Sequence, residues 1–131
     1  SMAKDSLFNA AAVVRAVTGK EISDFDINVN FVGGGQIDGP SAGTAVTVAL
    51  ISALTGKKVR QDAAVTGEIS VSGQVRAVGG IFEKAYGASR AGMKDMIIPA
   101  ENKDEITKHH LNLNIHAVTT IQEVMSLLFV E

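Results

Sequence analysis

The sequence contains no cysteine among its 131 residues, and this absence excludes several kinds of chemistry. A disulfide scaffold, a thiolate metal site and a cysteine nucleophile all require the missing side chain. The lack of cysteine agrees with a reducing compartment, and a cytoplasmic location is the one we expect.

An excess of charge of one sign is also lacking. Lysine and arginine number 12 against 14 aspartate and glutamate residues, so the formal net charge is −2. A nucleic-acid interface requires a basic excess, and we therefore expect no nucleic-acid partner for this domain. No apolar run reaches the roughly 18 residues that a membrane-spanning helix needs, so we expect no membrane partner.

Hydrophobic residues make up 46% of the sequence and charged residues 20%, which is the balance of a globular domain with a core. Apolar positions recur at helical spacing in some segments and alternate in others. Ser72-Gly73 is a signal for a hairpin turn. These patterns predict an α/β or α+β domain with a mixed sheet and packed helices. Helices are predicted over residues 6–17, 42–54, 82–90, 101–109 and 121–129, and strands over 25–31, 65–71, 74–78, 96–98 and 115–118.

A glycine-rich loop leads from the first predicted strand to the apolar helix at 42–54. Gly34 and Gly39 are separated by four residues, as the glycines of a phosphate-binding loop are. That motif requires a lysine after the second glycine, and here Pro40 removes both the cation and a backbone N–H group. We therefore do not expect this loop to bind a nucleotide.

Ser41 follows Pro40 at the start of the apolar helix. Backbone N–H groups are unpaired at a helix start and can stabilise an oxyanion, so a serine there is a candidate nucleophile. Serine is also a common residue at the N-cap of a helix. The segment alone leaves both interpretations open.

A serine nucleophile needs a base, and the sequence offers histidine and lysine. His109 and His110 lie in a polar segment. His116 lies in a predicted strand, and the pattern does not determine which face of the sheet its side chain is on. No zinc or other metal site is predicted, because adjacent histidines do not share one helix face. Lys84 begins a helix among apolar neighbours, and burial favours the uncharged amine that a base requires. An ordinary lysine reaching solvent is the alternative.

Four linked segments resemble the proteolytic domain of the Lon protease family. They match its nucleophile motif, its central hairpin, its second catalytic segment and a proline-containing segment after that. In this sequence they are Asp38-Gly39-Pro40-Ser41-Ala42-Gly43, Val65-Thr66-Gly67-Glu68-Ile69 with Gly73-Gln74-Val75, Gly79-Gly80-Ile81-Phe82-Glu83-Lys84, and Ile97-Ile98-Pro99-Ala100-Glu101-Asn102.

The resemblance implies a serine endopeptidase with a catalytic Ser-Lys dyad. Ser41 would be the nucleophile, Lys84 the general base, and Thr66 a hydrogen-bond partner that orients the lysine. Asp38 matches an acidic position whose role we leave open. Gly39, Pro40 and Ala42 would provide the main-chain region for the oxyanion or the substrate backbone.

The resemblance also implies an organisation beyond these residues. Residues 1–131 would form one Lon-type proteolytic domain, truncated on its N-terminal side and without the AAA+ motor. The domain itself would need no cofactor, whereas the motor of the same chain would use ATP and magnesium. Unfolded or damaged polypeptides would be the substrates, and the full-length protein would be a homo-hexamer.

Three positions depart from the family pattern. Asn28 and Asn30 stand where many members have histidine, and Phe82 stands where many have lysine. These departures leave Ser41 and Lys84 in place. The alternative to a protease is a non-catalytic Lon-like module for assembly or binding, because the resemblance begins late in the family's domain.

Overall fold

Helices and strands alternate through residues 2–24, 39–106 and 111–130, which are the parts of the chain that the computed structural model describes. This confirms the α/β class. The predicted strand over 25–31 lies outside these residues. The elements are α1 (Met2–Thr18), α2 (Gly43–Thr55), β1 (Lys58–Val59), β2 (Ala63–Val65), β3 (Glu68–Ile69), β4 (Val75–Arg76), α3 (Ile81–Arg90), β5 (Asp95–Pro99), α4 (Lys103–Ile106), β6 (Asn114–Val118), α5 (Ile121–Leu128) and β7 (Phe129–Val130), with 3₁₀ turns at Ile22–Asp24, Gly39–Ala42 and Ala100–Asn102.

A three-stranded parallel sheet, in the order β2-β5-β6, lies at the centre of the fold. Val65 is paired with Ile97, and Ile97 with His116. The central strand β5 contains the continuous apolar run Met96-Ile97-Ile98, and all three residues are buried. Such a run is typical of a parallel strand that is covered on both faces.

Helices cover both faces of this sheet and form two cores. Ile97 and Val118 face α1, α2 and α5 in the first core. Met96 and Ile98 face α3 and α4 in the second core. The alternation of side chains along a strand explains why neighbouring residues of β5 belong to different cores.

The segment 65–71 is not the single strand that the sequence predicts. Val65 ends β2 in the parallel sheet, and Glu68 begins β3 in a separate antiparallel hairpin with β4. The break occurs at Gly67, whose φ of 150° suits glycine. The predicted turn at Ser72-Gly73 is confirmed, with Gly73 at a φ of 87°. Parallel and antiparallel pairing both occur, but in different sheets.

The C-terminal elements also differ from the predicted bounds. The last helix ends at Leu128. Phe129–Val130 instead pairs with Lys58–Val59, and the two segments form a two-stranded ribbon that the sequence pattern did not predict. The predicted helix over 101–109 begins as a 3₁₀ turn and is α-helical over Lys103–Ile106, while residues 107–110 lie outside the described residues. No helix in the described segments has the length and apolar character needed to span a membrane.

Candidate active site

Ser41 lies in the 3₁₀ turn Gly39–Ala42, which continues directly into α2. The N-cap of α2 is Ala42, and no side chain forms a capping hydrogen bond there. The interpretation of Ser41 as an N-cap of this helix is therefore wrong. Ser41 and Ala42 are half-buried, so the turn lies at the edge of the packed interior.

The main chain around Ser41 is tied to Gly67. The Gly67 N–H donates to the Ser41 carbonyl oxygen at 3.2 Å, and the Thr44 N–H donates to the Gly67 carbonyl oxygen at 3.0 Å. A side chain on Gly67 would lie 2.6 Å from a Val75 methyl carbon, so only glycine fits this position. The two hydrogen bonds fix the start of α2 beside the carboxyl end of β2.

Thr66 precedes Gly67 and is 7% exposed. Its N–H donates to the Ile97 carbonyl oxygen at 3.1 Å, which extends the pairing of β2 with β5. Ala63 and Val65 pack on the first core and Ala64 on the second. Continued alternation places the Thr66 side chain on the face of Ala64, the face that α3 covers.

Lys84 lies in the first half of α3, between the buried residues Ile81 and Ala85. Its Nζ atom is fully buried, and among the residues that the structure describes it has no hydrogen-bond partner. This contradicts the interpretation of Lys84 as a lysine reaching solvent. Buried amines without a partner are unusual, because leaving one costs the desolvation energy of the group.

The direction of α3 brings Lys84 toward the same edge of the sheet. The helix ends at Arg90, and the chain enters β5 at Asp95, so α3 runs opposite to β5. Its first turns therefore lie toward the carboxyl end of the strand. Tyr86, two residues after Lys84, is 49% exposed, and its ring contacts the Arg90 guanidinium.

His116 is not placed to act as the base for Ser41. Its Nε2 lies 2.8 Å from Asp95 Oδ1, and the other Asp95 oxygen accepts a hydrogen bond from Arg60. These bonds, first from His116 and then from Arg60, lower the pKa of Asp95 from 3.8 to about 2. Asp95 is the first residue of β5, so this group lies at the end of the sheet opposite Thr66.

Several predicted site residues cannot be located. Asp38, His109 and His110 lie outside the described residues, and only the backbone of Gly39 and Pro40 is described. Within the described ranges, no group of three or more His, Cys, Asp or Glu residues could hold a metal ion.

Comparison with known proteins identifies the family of the chain. Residues 2–131 match the family described as the Lon protease (S16) C-terminal proteolytic domain. The chain belongs to this family. Lon protease 2 of Bacillus subtilis (strain 168) is 44% identical over 125 residues, covering 95% of the chain and 22% of that protein. The Lon protease of Haemophilus influenzae is 48% identical over 134 aligned residues, covering 93% of the chain and 17% of that protein.

The similarity extends to an archaeal relative. The archaeal Lon protease of Archaeoglobus fulgidus is 36% identical over 128 residues, covering 95% of the chain and 21% of that protein. The chain thus spans about a fifth of the length of these Lon proteases.

Proposed function

We propose that the chain is the proteolytic part of an ATP-dependent serine endopeptidase, with Ser41 and Lys84 as its catalytic dyad. The observation that carries this proposal is the buried Lys84 amine, which has no hydrogen-bond partner in the described parts of the chain. A lysine base needs an amine that no other group already engages, and among the described residues the Lys84 amine meets this requirement. The tie between Ser41 and Gly67, next to Thr66, supports a shared site at one edge of the sheet.

The dyad would act in two steps. In the first, the Ser41 Oγ attacks the carbonyl carbon of the peptide bond while the Lys84 amine takes the hydroxyl proton. Lys84 then returns this proton to the leaving amine, and an ester on Ser41 remains. In the second step, Lys84 takes a proton from water while the water oxygen attacks the ester carbonyl carbon. The bond to Ser41 Oγ then breaks, Lys84 returns the proton to that oxygen, and the carboxyl product leaves with the hydroxyl and the free amine restored.

The remaining predicted residues would support this chemistry. The Thr66 hydroxyl would accept a hydrogen bond from the Lys84 amine and orient it without adding charge, although the structure does not contain this bond. Backbone N–H groups of Gly39 to Ala42 stabilise the oxyanion, because a Gly-rich turn lets the substrate carbonyl approach them. Pro40 has no N–H group and contributes shape only. Asp38 stays without an assigned role.

The family also suggests the setting of the reaction. The substrates are polypeptides, unfolded or damaged, that an AAA+ domain of the same chain delivers. That domain uses ATP and magnesium, and the proteolytic chemistry needs no cofactor. The full-length protein assembles as a homo-hexamer in the cytoplasm.

Three substitutions in the full-length protein test this proposal. Ser41→Ala and Lys84→Ala should each lower peptide cleavage at least about 10³-fold, because members of such a unit are each indispensable. Lys58→Ala is the matched control, since Lys58 is an exposed lysine in β1 and its loss should leave cleavage unchanged.

Thermal unfolding verifies that each variant is folded, and a peptide boronate detects the nucleophile by its adduct with Ser41. Cleavage retained by either dyad variant would refute the assignment. A folded full-length protein with neither cleavage nor an adduct would favour the non-catalytic Lon-like assembly or binding module.

A further inference from the structure

The side chains that follow β5 bind the main chain leading into α3. Val78 N–H donates to Asn102 Oδ1 at 2.9 Å, and Asn102 Nδ2 donates to the Val78 carbonyl oxygen at 3.0 Å. One residue earlier, the Ala77 N–H donates to Glu101 Oε1 at 3.0 Å. Glu101 and Asn102 belong to the fourth segment that resembles the Lon family, and the resemblance assigns them no role.

The Asn102 side-chain amide forms hydrogen bonds with both main-chain groups of Val78, as a residue of a neighbouring strand would. An amide side chain carries one acceptor and two donors, so it can pair with both main-chain groups of one residue. Its second donor bond goes to Glu105 Oε2 at 2.9 Å. Asn102 is only 2% exposed, and losing these bonds would leave the main-chain groups of Val78 without their partner.

A short path joins Asn102 to Lys84. Val78 packs on the second core, which also holds Ile81 and Ala85 of α3. Two residues after Val78, Gly80 is the N-cap of α3, with a φ of 64°. The Gly80 carbonyl oxygen accepts a hydrogen bond from the Lys84 N–H at 3.1 Å. The position of Val78 therefore fixes where α3 begins and where Lys84 lies.

The strand β5 also positions Thr66. The carbonyl oxygen of Ile97 in β5 accepts a hydrogen bond from the Thr66 N–H group. Asn102, three residues beyond the end of β5, accepts a hydrogen bond from the Val78 N–H group. Contacts at the carboxyl end of β5 thus position both Thr66 and Lys84. We propose that Asn102 is a positioning residue for Lys84, acting through Val78 and Gly80. This inference rests on the proposed function of Lys84 as the base.

Glu101 has a lesser part in this arrangement. It also pairs with Arg76 at 2.9 Å, but the two side chains are 49% and 54% exposed. Exposed ion pairs contribute little to the geometry of a site. Asn102 is therefore the residue to change.

The test uses Asn102→Ala and Asn102→Asp in the full-length protein, with Asp95→Asn as the control. Asn102→Asp keeps the volume and one acceptor for the Val78 N–H but removes both donors, so no cavity forms. Both variants should lower kcat about 10²-fold with little change in KM, because a small displacement of a catalytic group has that effect. Asp95→Asn perturbs the opposite end of β5 and should leave kcat unchanged.

Reductive methylation of lysines, followed by mass spectrometry, provides a readout that does not depend on activity. The Lys84 amine is buried and should react slowly in the wild-type protein. Its rate relative to the exposed Lys58 should rise in both Asn102 variants and stay unchanged in Asp95→Asn. The Lys84 methylation rate and kcat are each divided by the folded fraction of the variant, which thermal unfolding measures.

The outcomes separate the two proposals. If Ser41→Ala is inactive while both Asn102 variants keep wild-type kcat and Lys84 protection, Asn102 is not a positioning residue and the proposed function stands. An equal fall of kcat in Asp95→Asn would also overturn the inference. If Ser41→Ala stays active, the proposed function fails. Lys84 methylation then decides the inference alone: a selective rise in the Asn102 variants supports positioning of the lysine, and no rise overturns it.

Discussion

The ionisable side chains near the two ends of β5 differ in their hydrogen-bond partners. At its amino end, Asp95 accepts hydrogen bonds from both His116 and Arg60. Toward its carboxyl end lies Lys84, whose buried amine has no partner in the described segments. The same strand thus has a paired carboxylate at one end and, near the other, a buried amine with no hydrogen-bond partner among the described residues.

Under the proposed function, the amino end of β5 contributes to stability and the carboxyl end to chemistry. A paired, partly exposed ion network satisfies its polar groups and makes stability depend on pH. A buried polar group without a partner lowers stability, and such groups are retained mainly at functional sites. The carboxyl ends of parallel strands are also where ligands bind in α/β folds.

The largest effect on the carboxyl end should come from Gly67→Ala. Its Cβ would lie 2.6 Å from Val75 Cγ1 and 3.0 Å from Thr44 Oγ1, at a φ of 150°. Crowding and backbone strain together should lower the free energy of unfolding by about 3 kcal/mol. Urea denaturation measures this change.

Gly87→Ala is the matched control for this substitution. Gly87 lies within α3, and an added Cβ would have nothing within 4 Å. Alanine is the better helix former, so this variant should be about 0.5–1 kcal/mol more stable. Similar stabilities of the two variants would contradict the close approach at Gly67.

The amino end should respond to acid through Asp95. Its pKa is lowered to about 2 from 3.8, so the carboxylate stabilises the folded state above pH 3.8. This contribution should disappear as the pH falls from 3.8 to about 2. The Asp95→Asn variant lacks this carboxylate and therefore lacks its stabilising contribution at every pH.

The measurement is the free energy of unfolding of the wild type and of Asp95→Asn as a function of pH. Their difference should be constant near neutral pH and shrink between pH 3.8 and about 2. A difference that stays the same throughout this interval would show that Asp95 has no special pairing in the folded state.

The smallest effect should come from Thr120→Ala, just beyond the carboxyl end of β6. The Thr120 hydroxyl accepts from the Glu123 N–H at 3.3 Å, and Glu123 Oε1 accepts from the Thr120 N–H at 3.2 Å. Losing this capping box should lower the free energy of unfolding by about 1 kcal/mol without changing kcat.

Ser126→Ala is the control, because Ser126 is exposed in the same helix and caps nothing. It should change stability by less than about 0.5 kcal/mol. A fall in kcat in Thr120→Ala would extend the functional edge of the sheet to β6, and the contrast between the two ends would need to be redrawn.

Much of the fold was predictable from the sequence because its signals are local. The apolar periodicity of α1, the long apolar run of α2, the run Met96-Ile97-Ile98 and the turn at Ser72-Gly73 are signals of this kind. The division of 65–71 between two sheets was not predictable in this way. Both halves contain β-branched residues, and only the packing of Val75 and Thr44 around Gly67 shows the break.

The candidate site was predictable to a smaller extent. Ser41 and Lys84 were candidates from their local sequence, the resemblance to a family joined them and added Thr66, and their catalytic roles stay predictions. The role of Asn102 depends on its pairing with Val78, 24 residues earlier, which no periodicity can indicate. The pairing of His116 with Asp95 likewise depends on the register between β5 and β6.

Gly43, the first residue of α2, has a consequence for how motion would travel through this domain. A Cβ at this position would meet Ser6 of α1 and Ile69 of β3, each at 2.9 Å. Helix, helix and hairpin therefore touch here with no side chain from Gly43 between them. A sideways displacement of the N-terminal helix would press the Ser6 side chain against the main chain of Gly43, which has no side chain of its own that could move aside.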